Sequence, residues 1–63
     1  MSEIKLCYTD SYGKLIFKVG NKLYMGQILD SAITCRIAEQ ARHKPGVAFN
    51  LAKNYTTFQE MPK

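Results

Sequence analysis

The chain has no tryptophan, two cysteines, two prolines and five acidic residues in 63, and each shortage excludes something. Two cysteines do not make the disulfide framework that staples many small secreted domains. Cys7 is expected in a strand and Cys35 in a helix, and two free thiols are favoured over a cross-layer disulfide. With His43 they make three zinc-capable side chains, but no C-x-x-C or H-x-x-x-H spacing exists, so no metal is expected. No apolar run approaches the roughly 20 residues of a membrane span. Met1 to Lys5 carries no signal-peptide core, so a cytoplasmic location is expected. The acids, Glu3, Asp10, Asp30, Glu39 and Glu60, are scattered. No serine stands in a nucleophile elbow, and no Walker or dinucleotide glycine pattern occurs. Cys7 or Cys35 with His43 is the one nucleophile–base combination on offer, and each cysteine suits a core position better. No catalysis and no cofactor are expected.

What is there is a small globular composition, 46% hydrophobic and 22% charged. It reads as a single domain over residues 1–63. A chain this short buries only about 60% of its unfolded surface, and small scaffolds often gain stability by oligomerising. Ile4, Leu6 and Tyr8 alternate with Lys5, Cys7 and Thr9, a strand pattern. Asp10-Ser11-Tyr12-Gly13 is turn-forming. Leu15, Phe17 and Val19 alternate with Lys14, Ile16 and Lys18, and Gly20-Asn21 suits a two-residue type II′ hairpin. Lys22 to Ile28 makes a third strand. A four-residue loop at 10–13 sets Thr9 opposite Lys14, Tyr8 opposite Leu15 and Leu6 opposite Phe17. The tight turn sets Phe17 opposite Tyr24. One face then carries Ile4, Leu6, Tyr8, Leu15, Phe17, Val19, Tyr24 and Ile28.

Asp30 or Ser31 caps a helix running from about Ser31 to His43. Leu29, Ile33, Ile37 and Ala41, with Ala38 beside them, form its apolar stripe. Arg42, His43 and Lys44 sit where the helix dipole favours cations, and Pro45-Gly46 stops the helix. Val47, Leu51 and Tyr55 recur at helical spacing, with Ala48 and Ala52 alongside, and predict a short second helix over 47–55. Phe58 and Met61 either dock the tail or leave it loose. The expected architecture is α+β: a three-stranded antiparallel meander, one long helix and a short C-terminal helix, in the order β-β-β-α-α.

One helix layer covers one sheet face, so the other has no partner within the chain. It carries Lys5, Cys7, Thr9, Lys14, Ile16, Lys18, Leu23, Met25 and Gln27, more apolar than a solvated antiparallel face usually is. Three explanations stand: a subunit interface built on Ile16, Leu23 and Met25, a ligand platform, or scattered exposed apolar groups without a role. The net charge of +4 suits an anionic partner and an ordinary solvated surface equally well. Arg36, Arg42, His43, Lys44 and Lys53 cluster along the end of the main helix and the segment after it, as phosphate binding would require. Asn50 and Asn54, on one helix face, suit base edges or ribose. Tyr55 could stack on a base, if it points outward. Tyr12 is the aromatic expected to be most exposed, whereas Phe49 and Tyr24 suit the core.

Leu15, Phe17, Gly20 and Tyr24, followed by Gly46, Phe49, Asn50 and Tyr55, resemble the KTSC family, short domains named for the C-terminus of some lysyl-tRNA synthetases. These domains also stand alone in bacteria and phages. The resemblance covers about residues 14–55, with Lys53 near the family's basic position. The family's central Tyr-x-Tyr is reduced here to Leu23-Tyr24-Met25-Gly26. What the resemblance implies is RNA binding, or capture of a nucleotide by a small oligomeric protein of the kind a phage uses against a host immune signal. The expected function is therefore non-catalytic binding of a phosphate-bearing ligand, nucleotide or RNA, by a homo-oligomer. The alternative is a protein-interaction or inhibitor module that uses the mixed sheet face.

Overall fold

The fold is taken from a computed structural model, which describes residues 3–62. Three strands, β1 (Ile4–Thr9), β2 (Lys14–Val19) and β3 (Lys22–Gln27), precede two helices, α1 (Ser31–His43) and α2 (Pro45–Lys53). A two-residue strand, β4 (Gln59–Glu60), follows them. The sheet is antiparallel in the order β1-β2-β3-β4. The expected α+β meander with two following helices is present, and the short fourth strand is an addition.

The β2–β3 hairpin has the expected register, with Phe17 opposite Tyr24 and Val19 opposite Lys22. Gly20 has φ 61°, as a type II′ turn requires, and among the described residues no non-glycine residue has positive φ. The β1–β2 hairpin differs. The Asp10 N–H donates to the Lys14 carbonyl (3.3 Å) and the Gly13 N–H to the Asp10 carbonyl (3.1 Å). The loop is therefore three residues long, with Gly13 left-handed at φ 83°, the usual device for such a loop. A side chain at Gly13 would put its Cβ 1.8 Å from the Ile28 carbonyl oxygen. The shorter loop sets Thr9 opposite Leu15, and a β-bulge between Leu6 and Tyr8 then restores Leu6 opposite Phe17. An inserted residue reverses which face the strand presents. Tyr8, expected on the apolar face opposite Leu15, instead pairs with Ile16 and is 46% exposed.

Asp30 caps α1 by accepting the Ala32 and Ile33 N–H groups at 3.0 and 3.2 Å. The stripe is carried by buried Ile37 with Ile33 and Ala41 against the core. Leu29, expected to join it, is 87% exposed, because it precedes the cap and lies off the helix. Thr34 is buried in its place, its hydroxyl within hydrogen-bonding distance of the Ile28 and Asp30 carbonyls. Pro45 does more than end α1. It occupies the first turn of α2, where its missing N–H costs nothing. That start places Ala48, Phe49 and Ala52 in the core with Leu51 packed against it, whereas Val47 and Tyr55 of the expected stripe are half exposed.

The core joins Leu15, Phe17 and Ile28 of the sheet side to Ile37, Ala48, Phe49 and Ala52 of the helices. The tail is docked. Phe58 meets Phe17 edge-on at 5.6 Å and Phe49 at 5.1 Å between ring centroids. Its ring lies over Gly26, where a Cβ would come within 2.9 Å. The Met61 N–H then donates to the Leu23 carbonyl at 2.8 Å.

Candidate functional site

The residues expected to bind phosphate are all exposed: Arg36, Arg42, His43, Lys44, Asn50, Lys53, Asn54 and Tyr55. They are spread over both helices and their ends. Lys44 caps the start of α2, whereas Asn54 caps its end, about 15 Å away at 1.5 Å per helical residue. Arg36 and His43 share one side of α1, and Arg42 projects from another. Lys53 borders a recess of about 490 Å³ against Tyr24, Phe49 and Phe58. Its ammonium lies 4.9 Å from the Phe49 ring centroid, a cation–π contact that suffices to explain its position. Tyr55 is 51% exposed.

The more organised surface is the uncovered sheet face. Alternation from the observed registers places Tyr8, Ile16, Met25 and Gln59 in one row across all four strands. Lys5, Lys18 and Leu23 form the next row, which Met61 extends through its bond to Leu23. Lys14 and Gln27 form a third. At about 4.8 Å between strands, the four-stranded row spans about 14 Å. Ile16 and Met25 are half-buried, and Leu23 is 39% exposed. The expected interface residues, Ile16, Leu23 and Met25, thus lie together on this face.

Lys5 and Lys18 are direct cross-strand partners, an arrangement that is destabilising for like charges. Among the described residues the one ion pair is Lys22–Glu60, on the sheet's other side. The nearest acids lie at the ends of the open face. Glu3 precedes β1 and borders, with Lys5, Lys18 and Lys22, an open depression of about 1110 Å³ at the hairpin end. Asp10 lies in the opposite turn and accepts three hydrogen bonds, from the Tyr8 hydroxyl (2.9 Å) and from the Tyr12 and Lys14 N–H groups (2.9 and 3.1 Å). Partial burial alone would raise the Asp10 pKa. The Tyr8 hydroxyl, the two N–H donors and the Lys14 charge outweigh it and hold the carboxyl below its ordinary value. The same bond and the Asp10 charge push the Tyr8 phenol up.

Beside this turn is a notch of about 440 Å³. It exists because β4 pairs only with Tyr24 and Met25, so β3 runs on past its neighbour. Tyr12, Lys14, Met25, Gln27, Thr57 and Gln59 border it. Tyr8, Lys5, Lys14 and Gln59 were not among the expected site residues. Lys5 and Lys14 were legible as an alternating basic row. Tyr8 and Gln59 depend on the bulge and on β4, which leave no local mark in the sequence.

Cys7 and Cys35 are free and exposed. Among the described residues no three metal-ligating side chains come together, and no helix is long and apolar enough to cross a membrane. No family model, curated protein or solved structure matches the chain.

Proposed function

We propose that the protein is a non-catalytic binding module for a phosphate-bearing ligand, nucleotide or RNA, and that the open sheet face makes the contact. The observation that carries this is the Lys5–Lys18 pair. Two like charges directly opposed on an uncovered face cost stability, and an anion between them reverses that cost. Lys14 extends the basic track along β2, and Tyr8 offers a half-exposed ring beside it. Lysines tracking a backbone, with an aromatic ring for a base, are the usual components of single-strand binding.

A single-stranded oligouridine titrated at several salt concentrations tests the proposal. Affinity falls with salt, each neutralised phosphate adding about 0.7 to the log–log slope. The Lys5→Gln/Lys18→Gln protein shows a slope smaller by about 1.4. Absence of binding at low salt to oligouridine and to ribonucleoside monophosphates alike contradicts it.

A second reading is favoured by the apolar band of Tyr8, Ile16, Met25 and Leu23 on the same face: a homo-oligomer or a protein partner docked there. A face-to-face pair of copies would bring two sets of Lys5, Lys14 and Lys18 together, which weighs against self-association at neutral pH. A sedimentation mass above that of one chain, abolished by Leu23→Lys, would support this second reading.

A further inference from the structure

Tyr12 is 77% exposed, yet both its backbone polar groups are bonded to side chains. Its N–H donates to Asp10 Oδ1 and its carbonyl accepts from Gln27 Nε2 at 3.0 Å. Asp10 also fixes the backbone on the far side of the turn through the Lys14 N–H. Gly13, which cannot carry a side chain there, closes the loop against Ile28. A fold gains nothing from an aromatic ring left in water on a rigid turn, whereas a ring presented this way is preorganised for stacking.

Tyr12 borders the notch at the end of β3, whose other walls are mixed in character. Met25 supplies apolar surface, Thr57 a hydroxyl, Gln59 an amide with both donors and an acceptor, Lys14 an ammonium, and Asp10 a carboxylate already engaged by the Tyr8 hydroxyl and the Tyr12 and Lys14 N–H groups. Gln27 spends a donor on the Tyr12 carbonyl, which leaves its own carbonyl oxygen as an acceptor. At about 440 Å³ the notch lies at the small end of the range for ligand sites. That volume suits a flat heterocycle with a cation close by, and excludes anything as large as a folded peptide.

We propose that this notch takes the base of a nucleotide, stacked on Tyr12 and bonded along its edge by Gln59, Gln27 and Thr57, with the phosphate directed to Lys14. The assignment rests on the binding function proposed above and gives it a specific subsite. A free nucleotide and a terminal residue of an RNA strand present the same chemistry. In the second case the strand continues from Lys14 along β2 to Lys18 and Lys5, which share the open face.

Amide chemical shifts of the labelled protein, titrated with each ribonucleoside monophosphate and with oligouridine, test the proposal alongside the Tyr12→Ala variant. A monophosphate is expected to shift Tyr12, Lys14, Gln27 and Gln59. Tyr12→Ala should weaken its binding about 5- to 150-fold, the stacking contribution expressed as affinity, with no change in melting temperature. Tyr12→Phe retains binding, and Gln59→Ala alters preference among the bases. Comparable affinity for monophosphate and oligouridine identifies a free nucleotide as the ligand, and much tighter oligouridine binding identifies a strand. If oligouridine binds and Tyr12→Ala binds it equally, the notch is not a base site, though the binding function survives. If neither probe binds, both fall.

Discussion

The two faces of β2 teach opposite things. Leu15 and Phe17 on one face are fully buried, whereas Lys14, Ile16 and Lys18 on the other have no layer over them. The same strand thus separates residues that the fold requires from residues it does not. On the covered face a side chain is chosen for volume and apolarity. On the open face those demands lapse, and an opposed lysine pair, a half-exposed tyrosine and an apolar row call for another cause. The turn at Asp10–Gly13 joins the two, since it is rigid like the core and carries Tyr12 like the open face.

The contrast is broken most severely by Phe17→Ala. Truncating a buried phenylalanine costs about 3–5 kcal/mol, against a total stability of roughly 3–9 kcal/mol for a chain of this length. Urea titration should find the variant largely unfolded, while Ile16→Ala on the opposite face loses about 1 kcal/mol. Equal losses would mean that the open face is covered in solution. Gly13→Ala comes next. It meets the left-handed penalty of about 1–2 kcal/mol and a contact with Ile28 that only backbone movement relieves. The Asp10 carboxylate has a smaller effect. Its pKa is lower folded than unfolded, so the unfolded chain binds the proton more readily, and stability rises with pH through that window. The contribution is present above the ordinary aspartate value of about 3.9 and is lost as pH falls through the folded pKa. Melting curves across that range should be flatter for Asp10→Asn. Least of all, Tyr12→Ala should leave stability within about 0.5 kcal/mol, although it disables the notch.

Much of the fold was legible because its determinants are local. The alternation of Leu15, Phe17 and Val19, the glycine turn at 20–21, and the Asp30 cap each declare themselves within a few residues, and α1 begins and ends where they imply. What was not legible depends on partners distant in the chain. The bulge at Leu6–Tyr8 arises because a three-residue loop shifts the register by one while Leu6 still has to meet Phe17. Thr34 enters the core because the Ile28 and Asp30 carbonyls accept its hydroxyl, which hydropathy does not register. The stripe of α2 moved because Pro45 opens that helix. β4 forms because Phe58 finds the space over Gly26.

The expected site followed the same division. Basic residues near a helix end looked like a cluster in sequence, but helical rise separates Lys44 from Asn54 at the other end of α2. Ile16, Leu23 and Met25 were recognised as a shared face because strand alternation carries that information directly. Tyr8 joined them only through the bulge.

In the proposed function the open sheet face, and not the basic end of α1, meets the ligand. Amide-shift mapping with oligouridine at low salt tests it most directly. Lys5, Tyr8, Lys14, Ile16, Lys18 and Met25 are expected to shift, with Arg36, Arg42, His43 and Lys44 unmoved. Perturbation confined to Arg42–Lys44 and Asn50–Tyr55 would contradict it.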